Sequence, residues 1–491
     1  MSSPHRPGTV RVAGRAVVLG ASIAGLLAAR TLSDVYDEVV VIDRDPLTGT
    51  GPRKGVPQGR HAHVLLARGH AVLEELFPGL TADLVGAGAV VIDQIRDTVW
   101  MASGRRLAQA PSDLRALAVS RPALEDHVRD RVQKLPGVTF RGGHEATRLL
   151  ASADRGTVTG VELADLTAGL RCELAAELVV DATGRSNRGA TWLAELGYVR
   201  PAEEVVKATI AYASRQYVRS GPLASGAMAI AAVVMSPEFP QGAAVLPMEG
   251  DRWMVTLIGL DGNLPPTDIA GFDRFSRLIP SADLHDVVDG CEPLTEPLSY
   301  RVPASVRRRY ERLRRLPDRY LVIGDALCAF NPIYGQGMTV SAIEATVLRE
   351  CLQSSTTGLP RRFYRQAARA IDIPWDIAAG GDLALPTVTG KRTLKTRLLN
   401  AYVARILRAA ERDAQVGRAF HRSVNLISRP TSLFAPWLLL RALAGLPATA
   451  IGRRPTVITG CARTPSRPTA PAARPPAPRD RAPAARRTRA R

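Results

Sequence analysis

The chain has 491 residues, 46% of them hydrophobic, which is enough for two or three modules with sizeable cores. Its formal net charge of +19 invites a nucleic-acid partner, but from Cys461 onward nine arginines and seven prolines accompany a single acid, Asp480. Such a segment cannot bury enough apolar surface to offset its ordering entropy, so 461–491 is expected to be a disordered basic tail; no helix-turn-helix, zinc-finger or RNA-recognition pattern goes with it to make a specific nucleic-acid binder.

In chain order, Arg15–Leu19 reads as a short buried strand, Gly20-Ala-Ser-Ile-Ala-Gly25 as a tight turn and Leu26–Leu32 as the opening of an apolar helix. Glu38–Asp43 reads as a second strand ending in an acid. This is the dinucleotide fingerprint: a close pyrophosphate approach, a helix dipole, then a carboxylate for the adenosine ribose. Gly20, Ser22 (in place of the usual second glycine), Gly25, Asp43 and its neighbour Arg44 are therefore candidate cofactor contacts. The loop Gly55-Val-Pro-Gln-Gly-Arg60-His61-Ala-His63 follows.

Between 197 and 299, runs such as Lys207–Arg215, Met228–Met235, Gly242–Pro247 and Arg252–Gly259 are short, β-rich and separated by Gly/Pro turns. They predict an antiparallel sheet, to which 76–111 contributes. Trp253 and Met254 alternate faces there, with Trp253 the core aromatic. The basic run Arg307–Arg315 predicts a solvated helix. Tyr320–Ile323 is a strand ending in Gly324-Asp325, and Gly335-Gln-Gly337-Met338 opens a helix to about Leu352. An aspartate at a strand end accepts hydrogen bonds from sugar hydroxyls, and glycines at the next helix start let backbone N–H groups approach an electron-rich ring. A second sugar-binding aspartate so far downstream selects FAD over NAD, with Asp325, Gly335, Gly337 and Met338 as its contacts.

Together these segments resemble the FAD-dependent monooxygenases of the para-hydroxybenzoate hydroxylase type, over roughly residues 14 to 375. Four blocks carry the resemblance: Gly20–Gly25, Val119-Ser-Arg-Pro-Ala-Leu124, Leu178-Val-Val-Asp-Ala-Thr-Gly-Arg-Ser186 and Gly324–Met338. It implies that Arg121 contacts the flavin side chain and that Asp181 and Gly184 lie at the cofactor. In the family the middle block is normally Asp-Gly and touches both FAD and the nicotinamide donor. Here it is Asp181-Ala-Thr-Gly184, so the electron source is left as NAD(P)H or an external flavin reductase. Arg53–His63, Asp181–Arg185 and Phe330–Gly335 are similar to bacterial epoxidases of polyether-type pathways, which oxygenate alkenes through a flavin C4a-hydroperoxide. The resemblance implies a small-molecule substrate such as a polyketide or terpenoid alkene, with O2. An aromatic hydroxylase, or a flavin dehydrogenase or reductase, is the alternative on the same scaffold; a polyanion-binding protein using FAD only structurally is another.

The fold class expected is α/β. A discontinuous Rossmann-like FAD-binding domain (14–75, 112–196 and 300–375) would hold an inserted antiparallel substrate domain (76–111 and 197–299). A helical C-terminal region (376–460) and the tail would follow. Flavin-dependent oxygenation asks the protein for a dry pocket and a positioned substrate, without a nucleophile or metal. Arg60 or His63 would lie near the flavin ring, or would hydrogen-bond the start of the next helix; Tyr334 would touch substrate or pack in its loop. Five scattered cysteines offer neither zinc spacing nor a disulfide framework. The apolar stretch Leu433–Leu446, broken by Pro436 and Arg441, falls short of the roughly 20 residues of a membrane span. With no secretory leader pattern at the N-terminus, a cytoplasmic location is expected.

Overall fold

The computed structural model describes residues 12–49, 51–186, 188–234, 239–260 and 262–444. The tail expected at 461–491, and the part of the helical region beyond 444, lie outside the described residues.

A five-stranded parallel sheet forms the centre, in the order Tyr320–Val322, Leu178–Asp181, Val12–Leu19, Tyr36–Asp43, Val138–Gly142. Ala16, Val17, Val18, Val179 and Val180 are fully buried, and so are Val40 and Val41. Such continuous apolar runs are what a parallel sheet covered on both faces requires. Helix Ile23–Leu32 packs on it together with Arg121–Gln133 and the 18-residue helix Gly337–Ser354. A three-stranded antiparallel sheet, His144–Ala151, Val158–Asp165 and Arg171–Ala175, lies against the same core.

The second large element is a seven-stranded sheet in the order Leu298–Val302, Ile210–Val218, Arg252–Leu260, Gln241–Met248, Ala229–Val234, Thr98–Ala102, Arg105–Arg106. Its pairings are antiparallel apart from Ala229–Val234 with Thr98–Ala102. Strand alternation divides its residues between two faces. Ala213, Tyr217, Val245, Trp253, Val255 and Leu257 form a core with Phe272 and Leu284 of helices Ile269–Ser276 and Ala282–Gly290. Tyr212, Ala244, Leu246, Thr256 and Ile258 face the other way, into a cavity. Trp253 is thus a core aromatic, and Met254 turns to the opposite face. Helices Leu359–Asp382, Leu394–Ala410, Ala414–Val424 and Pro436–Ala444 follow.

The basic run differs from the helix expected of it. Ser305–Arg308 is a strand and Tyr310–Arg312 a single 3-10 turn. Arg307 and Arg308 are 2% and 5% exposed. Arg308 donates to Glu203 and to the carbonyls of Asp325 and Ala326, and Arg307 to the Ala368 carbonyl. Tertiary acceptors, invisible to charge counting, draw these guanidiniums inward.

Candidate FAD and substrate site

Gly20 leaves the first strand at φ +105°, and helix Ile23–Leu32 begins three residues later. A Cβ on Gly25 would stand 1.8 Å from the Gly20 carbonyl oxygen, so only glycine lets turn and helix close up. Ser22, Ile23 and Ala24 line a cavity, which places an open helix N-terminus on its wall. Asp43 accepts from the Ala21 N–H at 2.7 Å and from Arg53 at 3.1 Å, and lines the cavity beside Arg44.

An ion cluster braces this turn. Arg121, the first residue of its helix, donates to Glu125 at 2.7 Å and to Ser22 Oγ at 2.9 Å. Ser22 donates to the same carboxylate at 2.5 Å, and Arg53 to its other oxygen at 2.8 Å. Burial alone would raise the Glu125 pKa; Arg121 and Arg53 outweigh it and hold the carboxyl at about 2. The serine standing in for a glycine therefore has a physical account, since its hydroxyl ties the turn to Glu125.

At the other end of the wall, Gly324 (φ +63°) turns the chain out of strand Tyr320–Val322 and Asp325 lines the cavity. Asp325 faces Arg185 at 3.5 Å. Gly335 (φ +64°), Gly337 and Met338 line the same wall at the start of helix Gly337–Ser354. A Cβ on Gly337 would find Asp325 Oδ1 no nearer than 3.8 Å, so the helix start is an open cradle. Beneath it, the buried Glu344 accepts from the Gly324 N–H at 2.6 Å, and burial pushes its pKa up to about 8. Tyr334 also lines the cavity, its hydroxyl donating to Asp382 at 3.1 Å.

Three predicted contacts stand elsewhere. Asp181 is fully buried and off the cavity wall, accepting from Thr183 N–H at 2.9 Å and from the Tyr320 hydroxyl at 3.0 Å. Its position inside the central sheet turns its carboxyl toward Tyr320, while Ala182, Thr183 and Gly184 reach the cavity. Arg60 is exposed on the 3-10 turn Pro57–Arg60 and does not line the cavity; Gln58 of that turn does. Gly25 acts through packing. His63 does line it, Nδ1 donating to the His61 carbonyl at 2.9 Å; burial and the Arg121 charge lower its pKa to about 4.

The sequence reading missed Arg53, Glu125, Arg185 and the roof residues His61, Tyr212, Thr256 and Tyr300 as site residues. Glu125 was signalled by its i,i+4 spacing from Arg121. Arg53, His61 and Arg185 lie within the blocks that carry the resemblance, whereas nothing local marks Tyr212, Thr256 and Tyr300, which long-range folding brings in. All but Glu125 share one cavity of about 2290 Å³, its open mouth included.

Residues 14–361 match the family described as FAD binding domain. The chain belongs to that family. It is 35% identical over 437 residues to Protein Rv3254 of Mycobacterium tuberculosis, spanning 84% of this chain and 89% of that one. Kynurenine 3-monooxygenase of Salinispora arenicola is 29% identical over 361 residues, 69% of this chain and 72% of the enzyme. A flavoprotein/dehydrogenase structure from Cytophaga hutchinsonii superposes with TM-score 0.63 at 15% identity, covering 88% of this chain and 98% of its own. The chain therefore has the FAD-binding domain of that family, with an α/β fold shared with the Cytophaga hutchinsonii structure. The cavity fits the cofactor: an acid and an open helix start at one end, and a glycine cradle with a second acid at the other. Among the described residues no helix is long and apolar enough to cross a membrane.

Proposed function

We propose that this flavoprotein inserts one oxygen atom of O2 into an organic substrate, by epoxidation of an alkene in natural-product biosynthesis in the cytoplasm. Bound FAD would supply the oxygen-activating redox chemistry. Gly20, Ser22, Asp43, Arg44, Arg121, Gly184, Asp325 and the Gly335–Met338 turn are proposed to hold it. One observation supports the reading above the others: the wall suited to FAD and the roof lined by Ala244, Leu246 and Ile258 bound a single cavity. A roof of that kind excludes water from a reacting centre and leaves an apolar substrate positioned by shape. His63, held neutral at pH 7 and fixed by its bond to the His61 carbonyl, offers its free ring nitrogen as a hydrogen-bond acceptor in the cavity. Aromatic hydroxylation is the second reading, favoured by Tyr212 and Tyr300 in the roof, which can flank a flat ring.

Electrons would come from NAD(P)H or from a separate flavin reductase, the block Asp181-Ala-Thr-Gly184 leaving room for either. Anaerobic stopped-flow mixing of the FAD-loaded protein with NADPH or NADH tests this. Rapid bleaching followed by substrate oxygenation on admitting O2 supports a self-contained monooxygenase. Oxygenation only with a reductase supports a two-component system. Reduction without oxygenation of any alkene or arene would turn the reading to a dehydrogenase or reductase.

A further inference from the structure

The roof half of the cavity carries a hydrogen-bonded chain that fixes one side chain. The Ala62 N–H donates to Thr256 Oγ1 at 3.0 Å; Thr256 Oγ1 lies 2.6 Å from Ser214 Oγ, which lies 2.8 Å from His61 Nδ1. Run in that direction, each hydroxyl proton has an acceptor: Thr256 donates to Ser214, and Ser214 to Nδ1. The imidazole proton then resides on Nε2. The reverse direction leaves the Thr256 proton to the cavity, with no protein acceptor among the described residues. His61 is 4% exposed, and its ring stacks on Tyr300 (centroids 5.5 Å apart, planes at 29°) with Tyr212 tilted against it at 6.0 Å. Burial, assisted by the Arg60 charge, lowers its pKa to about 4, so it enters the cavity wall as a neutral ring.

The sheet side of this half is uncharged, and the Arg60 side chain whose charge reaches His61 stands off the cavity wall. Among the described residues, none that the seven-stranded sheet contributes to the cavity is charged. The guanidinium whose field reaches Tyr212 and Tyr300 is that of Arg185, which donates to the carbonyls of Ala304 and Phe330 and already shares its charge with Asp325 at 3.5 Å. A carboxylate bound under this roof would lose its hydration against a wall whose sheet residues are uncharged and whose Arg185 guanidinium already faces Asp325, whereas a ketone, ester or hydroxyl oxygen could accept from Nε2–H.

We propose that the roof half is a subsite for an uncharged, largely apolar molecule bearing a hydrogen-bond-accepting oxygen, with His61 as the donor that positions it. This deepens the proposed function and rests on its placing the substrate beneath the roof.

A matched set of ligands tests it: geranylacetone, its deoxygenated hydrocarbon, and the isosteric carboxylate in which an oxygen anion replaces the ketone methyl. Binding is followed by perturbation of the flavin spectrum and, in parallel, by tryptophan fluorescence, since Trp100 lines the cavity. On the unaltered chain the ketone is expected to bind at least tenfold more tightly than the carboxylate. In His61→Leu the ketone loses about tenfold, as expected for one lost hydrogen bond, while the hydrocarbon stays within twofold; His61→Gln, which keeps a donor, recovers most of the loss. Carboxylate binding as tight as the ketone's, equal losses for ketone and hydrocarbon, or binding of none of the three would overturn the proposal. Failure to load FAD would instead fell the flavin reading, with the tryptophan signal still reporting on the subsite.

Discussion

Replacing Glu125 by Gln removes one negative charge from between Arg53 and Arg121 while keeping the side chain's shape. Glu125 is 3% exposed and accepts three hydrogen bonds of 2.5–2.8 Å, so two guanidiniums would be left facing an amide. The magnitude follows from two directions. Its carboxyl titrates at about 2 in the folded chain against an ordinary 4.5, which at about 1.4 kcal/mol per tenfold change corresponds to roughly 3 kcal/mol. Breaking one partner of a buried ion pair costs about 3–5 kcal/mol by independent precedent. Because the folded pKa is depressed, this stability is fully present above pH 4.5 and is lost as pH falls toward 2. Urea unfolding of the apoprotein at a series of pH values should show the variant about 3 kcal/mol less stable at pH 7, with the gap closing between pH 4.5 and 2. FAD should raise the variant's stability more than the wild type's, its pyrophosphate offsetting the uncovered arginines. A variant within about 0.5 kcal/mol of wild type at pH 7, or a gap unchanged down to pH 2, would refute the reasoning.

Glu344 carries the opposite sign. Its pKa is raised to about 8, so its contribution is complete below pH 4.5 and is lost as pH rises through 8; Glu344→Gln should abolish a decline of a few kcal/mol in that window, measured as wild-type minus variant stability. Gly25→Ala puts a methyl group 1.8 Å from the Gly20 carbonyl oxygen and should leave a chain that retains no FAD after gel filtration. Asp325→Ala removes the second cavity acid and should weaken FAD binding about tenfold or more by fluorescence titration, with little change in apoprotein stability because the side chain is one-third exposed.

Local signals made much of the architecture legible. Ala16–Leu19 and Val39–Ile42 announce buried parallel strands because both faces are covered, and Gly20 and Gly335 occupy turns, and Gly25 a first helical turn, that no other residue fits as well. The alternation in Arg252–Leu260 likewise separates a core face from a cavity face. What stayed hidden depends on contacts far apart in sequence. Asp181 looks like a cofactor ligand in its block, yet Tyr320, 139 residues on, claims its carboxyl. Arg307 and Arg308 look solvated until Glu203 and backbone carbonyls from other elements are placed beside them. His61 gains meaning only when Ser214, 153 residues away, reaches its ring.

The most direct test of the central claim is turnover under isotopically labelled dioxygen. FAD-loaded protein, a reductant (with a flavin reductase if needed) and a panel of neutral alkenes led by geranylacetone would be incubated, and the products read by mass spectrometry. One labelled oxygen atom in an epoxide, with the other in water, is the predicted result. Consumption of reductant that yields only hydrogen peroxide, or product whose oxygen comes from water, would contradict the account.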